Sequence, residues 1–526
     1  MIKRILLSFL SGAALVLAFP PFGLGFLAWA AFIPLFFALE GAGKKRGFFL
    51  GFVFGSAFFL GTVYWVVHSM YYYGGVPFAA GVGVMLALVA YLSLYPAVFG
   101  LLISAKADTS PITRMILLPS VWVGLEYVRG YLFTGFPWVL LGYSQMNYLP
   151  VIQIADITGV WGVSFMIVLV NAALYLNVRS LLRGGSNPLK ESLFALLMLT
   201  STFGYGYLRI KQVDSDAARW RGLRVGIAQG SIDQSLKWDS SFRKETLEIY
   251  RELTLEAGRK EARLIVWPET AIPFFFEPDA VRDGEVGRIL KESGSFVLTG
   301  SPSYNYNQAA GKLNYFNSAY LLSPAGEAVG RYDKMHLVPF GEYVPLKRFL
   351  PFIHKLTEGV GDFAEGPGAI PIKFEGGGIG TLICYESIFP EIARLSVRNG
   401  ATVLANITND AWFGYTSAPY QHFEMAVLRA VENRVYLLRA ANTGISAVVD
   451  PVGRVRKKTA LFERTDIIDD IRLRDGGLTF YTMRGDIFAY GCLALSGIFV
   501  IAGLGRLLKK PNLLCRLQNS SLQRTR

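Results

Sequence analysis

Three apolar runs in this sequence each end on a residue that can do chemistry. TLICYESIFP (381–390) carries Leu382 and Ile383 into Cys384, which Tyr385 and Glu386 follow directly. RLIVWPET (263–270) ends in a polar turn holding Glu269, and AVGRYDK (328–334) closes on Lys334. A thiol is a poor nucleophile at its free pKa, and it is the thiolate that attacks. A carboxylate can take the thiol proton as general base, and an ammonium can stabilise a developing oxyanion. A glutamate, a lysine and a cysteine therefore make a chemically complete set for acyl transfer. Residue type alone does not bring them together, and each taken singly is more often structural or solvated.

Cys384 has other uses to weigh: core filler, half of a disulfide, or a metal ligand. The chain has three cysteines, and the others, Cys492 and Cys515, lie in the last apolar run and in the tail beyond it. With no pair between residues 211 and 484, a disulfide framework is excluded. The four histidines, His68, His336, His354 and His422, show no metal-ligand spacing with the cysteines. Neither a zinc site nor a cofactor is expected.

The elements that must position these groups are strands. LRVGIAQG (223–230), RLIVWPET, SFVLTGSPS (295–303), YFNSAYLLS (315–323) and AVGRYDK read as strands. So do GIGTLICYE (378–386), ATVLANITND (401–410) and GISAVVDPVGRV (444–455). Helices are expected near 240–260 and 416–434, the second separating the last two strands. Strands alternating with helices and hairpins give an α/β layered sheet, and sites in such sheets gather at the carboxyl ends of strands.

The rest of the chain is of another kind. Of 526 residues, 52% are hydrophobic, and the mean hydropathy is +0.36, too apolar for an ordinary soluble protein. Residues 1–210 are nearly free of charge. They hold seven candidate spans, near 4–19, 24–41, 47–69, 77–104, 112–128, 159–178 and 191–210, with an eighth near 486–507. The domain reading is 1–210 as a transmembrane bundle and 211–484 as a catalytic domain. Residues 485–526 are the last helix and a basic cytoplasmic tail. The net charge of +13 does not indicate nucleic acid, because its Lys and Arg sit in short loops between apolar runs. Lys3, Arg4, Lys44, Lys45, Arg46, Lys106, Arg114, Arg179, Arg183 and Lys190 fall on one side, and Arg129 alone on the other. Basic residues mark the cytoplasmic side. Residues 211–484 then face outward, into the periplasm of a bacterium, and Arg506, Lys509, Lys510 and Arg516 return inside. The aromatic stretch 126–145 reads either as an interfacial helix or as a lipid-facing floor beneath the outer domain, and YYYGGVP (71–77) as an interfacial aromatic belt.

WPET, YDKMHLVPFGEYVP and ICYESIFP resemble the Glu, Lys and Cys motifs of the nitrilase superfamily. The apolar N-terminal half, LFTGFPWVLLGYSQ, QGSIDQSLKWD and TNDAWFG extend the resemblance to the bacterial apolipoprotein N-acyltransferases. That resemblance implies a nitrilase-like αββα sandwich inserted into an eight-helix transmembrane bundle of the bacterial inner membrane. It also implies a phospholipid acyl donor, usually phosphatidylethanolamine, and a diacylated apolipoprotein acceptor whose N-terminal amine receives the chain. Carried over residue by residue, Glu269 is the base, Lys334 the oxyanion stabiliser and Cys384 the nucleophile. Glu342 supports the lysine or the nucleophile, Tyr385 and Glu386 flank the nucleophile, and Trp238 rides a mobile loop over the site. His336 is expected to pack or cap rather than serve as a second base. For Trp412 and Phe413, gripping lipid and filling core stand level. The rivals are a membrane-tethered amidase with the same three residues, and a transporter with an outer domain. Eight spans exceed a tether's need, and the near absence of ionisable residues in the spans argues against transport.

Overall fold

In LRVGIAQ, Leu223, Val225 and Ile227 alternate with smaller or polar residues, and this strand lies next to the edge strand of one of two six-stranded sheets. The computed structural model describes residues 1–104, 110–184, 187–308, 311–343 and 362–508. Lys106, His354, Lys509, Lys510, Cys515 and Arg516, used above, lie outside them.

The strands are β1 (Arg221–Gln229), β2 (Leu264–Val266), β3 (Phe296–Asn307), β4 (Lys312–Leu322), β5 (Ala328–Asp333) and β6 (Ile372–Phe374). They continue with β7 (Gly377–Ile383), β8 (Val403–Thr408), β9 (Tyr436–Ala441), β10 (Ala447–Val449), β11 (Val455–Lys458) and β12 (Thr465–Leu473). One sheet runs β12-β1-β2-β3-β4-β5 and the other β11-β10-β9-β8-β7-β6. In each, the three central strands are parallel and the outer ones antiparallel. Val225, Ile227, Val266 and Leu321 from the first sheet pack against Ile383, Val403, Ala405 and Leu438 from the second.

Helix Arg243–Arg259 buries Leu247, Tyr250, Thr254 and Ala257, at the 3–4 spacing of one helical face, on the outer side of the first sheet with helix Glu285–Ser293. Helices Pro390–Arg398 and Ala418–Asn433 cover the second sheet. Apart from Tyr420 and Glu424 the latter is buried along its length, because its far side joins one apolar core with Phe32, Phe54, Trp122 and Trp161 of the N-terminal helices. The layer order is α-β-β-α, with the fourth layer shared with the apolar half of the chain.

The structure differs from the sequence reading in several elements. GISAVVDPVGRV is not one strand but the hairpin β10–β11, turning through Asp450–Gly453. β6, β9 and β12 were not anticipated. Among the described residues, four helices are long and apolar enough to cross a membrane, each at an expected span: Lys44–Val63, Phe78–Ile103, Val160–Arg183 and Leu189–Arg219. The expected span 24–41 is broken into a short 3-10 helix, Gly25–Trp29, and helix Ile33–Leu39, with Pro34 in its first turn. The expected span 47–69 divides at Tyr64. Gly47, Gly51 and Gly55, four apart, let the Lys44–Val63 and Phe78–Ile103 backbones touch: a Cβ at Gly51 would lie 2.1 Å from the Pro96 carbonyl oxygen.

The stretch 126–145 is no interfacial helix. Helix Pro111–Tyr131 ends within it, and the chain then folds inward so that Trp138, Leu140, Leu141 and Tyr143 are buried. Arg129 Nη1 donates to the Trp138 carbonyl at 2.8 Å, and Leu141 N donates to Glu126 Oε1 at 2.7 Å. These two charges, one helical turn apart, fasten the inward loop.

Candidate active site

The exits of β2, β5 and β7 carry the three residues singled out first, and the two-sheet packing turns them towards one another. Glu269 leaves β2 through the WPET turn, where Gly300 of β3 admits its backbone; a Cβ on Gly300 would come within 2.4 Å of Thr270 N. Lys334 follows β5, its N–H donating to the Asn317 carbonyl at 2.9 Å. Cys384 opens a 3-10 turn directly after β7, with φ +53. A cysteine in the left-handed region is a strained conformation held by its surroundings.

Those surroundings are specific. The Cys384 carbonyl accepts from Ser387 Oγ at 3.0 Å, and His422 Nε2 lies 3.2 Å from it. Glu386 Oε2 accepts from Ile383 N at 2.7 Å, while its Oε1 accepts from Met335 N at 2.6 Å, His336 N at 3.2 Å and the Tyr332 hydroxyl at 2.9 Å. Glu386 thereby ties the lysine loop to the cysteine turn. It holds the frame and does not contact the reacting groups.

Lys334 is buried, with Glu342 carboxylate oxygens at 3.0 and 2.9 Å from Nζ and Glu269 Oε1 at 3.8 Å. Asn317 Nδ2 donates to both carboxylates, at 2.7 Å to Glu269 Oε1 and 2.9 Å to Glu342 Oε1. Asn409 N donates to Glu269 Oε2 at 3.0 Å, and Val338 N to Glu342 Oε2 at 2.8 Å. Burial alone pulls the Lys334 ammonium down, but Glu342 and then Glu269 outweigh it and hold its pKa above the ordinary lysine value. It stays charged. Cys384 is half-buried; burial first, then the Glu269 charge, push its thiol up to about 12, against the downward pull of Lys334 and the Thr408 hydroxyl. At rest the sulfur is a thiol, and an attack by it would need a base.

Residues 11–173 match the model of the apolipoprotein N-acyltransferase N-terminal domain, and residues 224–479 that of the carbon-nitrogen hydrolases. The apolipoprotein N-acyltransferase of Geobacter metallireducens is 44% identical over 502 residues, covering 95% of this chain and 94% of that one. The chain belongs to the apolipoprotein N-acyltransferase family. The Pseudomonas aeruginosa member is 32% identical over 517 residues, covering 96% of each chain. A solved carbon-nitrogen hydrolase from Helicobacter pylori is 17% identical, covering 55% of this chain and 99% of that one, with a TM-score of 0.37. As a member of this acyltransferase family of bacterial membrane enzymes, the chain is an enzyme whose C-terminal part has the nitrilase-like α/β fold.

Within this N-acyltransferase, Glu269, Lys334, Glu342, Cys384 and Glu386 are brought together. Tyr385 turns away from them, its hydroxyl 3.5 Å from the Gly135 carbonyl of the inward loop and its ring against Phe389. Trp238 is half exposed on its loop, outside the cluster. His336 packs its ring on Phe389, centroids 3.8 Å apart; burial, then Lys334, lower it to about 4, so it is neutral. Phe413 fills core between Trp65 and Trp138, and Trp412 meets Tyr73.

Several participants escaped sequence reasoning. Asn317 is the sole amide in YFNSAYLL and is buried there, a polar residue among aromatic and aliphatic neighbours, which is a usable signal. Behind Cys384, His422 Nδ1 meets Asp410 Oδ1 at 2.9 Å, and Asp410 Oδ2 accepts from Arg439 at 2.7 Å, all buried. Arg439 Nη1 also donates to Asn406. Burial, then Arg439, lower His422, so this network holds the turn without taking charge from it. Lys237, next to the expected Trp238, is the buried member of that pair. Among the described residues there is no cluster of side chains suited to a metal ion.

Proposed function

We propose that this chain moves an acyl chain from a membrane phospholipid, for which the family resemblance implies phosphatidylethanolamine, through a Cys384 thioester to the N-terminal amine of a diacylglyceryl-cysteine lipoprotein. Glu269 takes the Sγ proton as sulfur attacks the ester carbonyl, and Lys334 faces the oxyanion. The C–O bond breaks, Glu269 returns its proton to the lysophospholipid oxygen, and the acyl group stays on sulfur. In the second half the amine attacks, the C–S bond breaks, and Glu269 carries a nitrogen proton to the departing sulfur. Glu342 holds Lys334, and Glu386 and Tyr385 hold the cysteine turn to the lysine loop and the inward loop. In this reading Trp238 covers the site from its loop. The kinetics are ping-pong, as a covalent intermediate requires. In this reading residues 1–210 and 485–526 form an eight-span bundle of the inner membrane, with residues 211–484 in the periplasm, supported by the Lys and Arg asymmetry.

The observation that carries the reading is the shared core. Helix Ala418–Asn433 brings His422 beneath Cys384 and buries its other side among the N-terminal apolar helices. A soluble amidase has no use for a helix layer built into membrane-type helices, whereas an enzyme drawing acyl chains from a bilayer has. The test mixes purified protein, vesicles of acyl-labelled phosphatidylethanolamine and a synthetic diacylated lipopeptide. The label is expected on the lipopeptide amine. Label released only as free fatty acid would identify a hydrolase and reject the proposal.

A further inference from the structure

Lys237 is 4% exposed although its neighbour Trp238 is 52% exposed. Its Nζ donates to the Glu269 main-chain carbonyl at 3.0 Å, and among the described residues it has no carboxylate within ion-pair distance. The loop that carries it is anchored: Ser231 N donates to the Asn442 carbonyl at 3.0 Å, Ile232 N to Asn442 Oδ1 at 2.9 Å, and Asn409 Nδ2 to Gln234 Oε1 at 2.5 Å. Asn409 is also the residue whose N–H holds Glu269 Oε2. The lysine is thus built into the wall of the site.

The aminolysis half-reaction leaves one proton without an acceptor. An N-terminal amine, with an ordinary pKa of about 7.7–8.0, is largely ammonium at neutral pH and has no lone pair to attack with. It must lose one proton before attack and a second as the C–N bond forms. Glu269 handles the second, and Lys334, held positive by two carboxylates, can take neither.

We propose that Lys237 Nζ accepts the first proton of the acceptor ammonium during aminolysis. The assignment rests on the acyl-enzyme reading above. In the fraction of enzyme whose Lys237 is neutral, about one-tenth at pH 7 for a group near 8 and more as pH rises, Lys237 and the ammonium become charged Lys237 and a free amine. The amine lone pair then attacks the thioester carbon, the C–S bond breaks, and the second nitrogen proton passes through Glu269 to sulfur. Lys237 afterwards loses its proton to water when product leaves. An ammonium buried beside one neutral carbonyl is poorly solvated. Burial lowers Lys237 to about 8, with Glu269 and Cys384, the titratable groups facing it, opposing the shift. That value matches the amine it would serve, the condition under which proton transfer is most efficient.

The experiment separates the half-reactions with K237M and K237R. Acyl-enzyme is formed from phosphatidylethanolamine vesicles, then mixed with diacylated lipopeptide from pH 6.5 to 9. Both variants are expected to form adduct at near wild-type rate. Both should lose up to about tenfold in aminolysis at pH 7, because an amine of that pKa is already about one-tenth deprotonated there without help, and K237R should not rescue because a guanidinium does not accept a proton. The deficit should close towards pH 9, where the lipopeptide deprotonates unaided. A deficit that is constant with pH, restored by arginine, or equal in both half-reactions overturns the assignment. Wild-type protein that forms no adduct overturns the acyl-enzyme reading and this assignment with it. Normal adduct with unchanged K237M aminolysis overturns this assignment alone.

Discussion

Glu342→Gln removes one charge from a buried trio without removing its volume, so its effect can be worked from distances. Glu342 oxygens lie 3.0 and 2.9 Å from Lys334 Nζ, and Glu269 Oε1 lies at 3.8 Å. The glutamine can still accept from Val338 N or Asn317, but an amide NH2 then faces other donors. Lys334 loses its nearer carboxylate and is expected to close on Glu269. At an effective dielectric of ~20, shortening that pair from 3.8 to about 2.9 Å deepens the attraction by roughly 1 kcal/mol. That is close to one pKa unit, making Glu269 about tenfold weaker as a base. If Lys334 also leaves the oxyanion, a further loss on the order of 100-fold follows. The assay is the rate of acyl adduct formation on vesicle-embedded protein, read by intact mass well below the melting temperature. We expect at least a tenfold fall. A Glu342→Gln rate within twofold of wild type would refute the coupling of Glu342 to the base through Lys334.

Three further outcomes are expected. Asp156→Asn should lower the Tm of the detergent-solubilised protein by several degrees. It leaves Arg434 buried without the carboxylate now 3.0 Å away, and breaking such a pair costs about 3–5 kcal/mol; an unchanged Tm would show that Arg434 does not depend on this carboxylate in solution. Iodoacetamide should label Cys384 at a rate still rising beyond pH 9, because the thiol sits near 12, and Lys334→Met should slow it further by removing a charge that lowers that value; labelling that saturates below pH 8 contradicts this. A periplasm-dependent reporter fused after residue 215 should be active, and an inactive one there with an active fusion after residue 186 would reverse the topology.

The parts of the site legible in the sequence are those where a strand's apolar run meets a polar exit: Glu269, Lys334 and Cys384 are visible because burial ends where chemistry begins. Asn317 acts through two carboxylates that reach it from other elements, at 48 and 25 residues' separation, and no local pattern reports such a meeting. β9 carries Leu, Arg and Ala, which favour helix, and is a strand because β8 and β10 flank it. β12 alternates Ile467, Asp469, Ile471 and Leu473 with Asp466, Asp470 and Arg472, the charged outward face of a sheet edge, and its charge hides the period. The inward loop after Tyr131 looks interfacial from its aromatics alone; Trp138 is buried because Gln421 accepts from its Nε1 at 2.7 Å, a partner 283 residues away.

The central claim is that Cys384 carries the acyl group between two substrates. The most direct measurement is the intact mass of the purified protein after exposure to phosphatidylethanolamine vesicles, with no lipopeptide present, followed by peptide mapping. The account predicts a mass gain of one acyl chain, mapped to Cys384, absent in Cys384→Ala, present in Cys492→Ala, and discharged when diacylated lipopeptide is added. A transfer-competent preparation that never shows this adduct, or shows it on another residue, would contradict it.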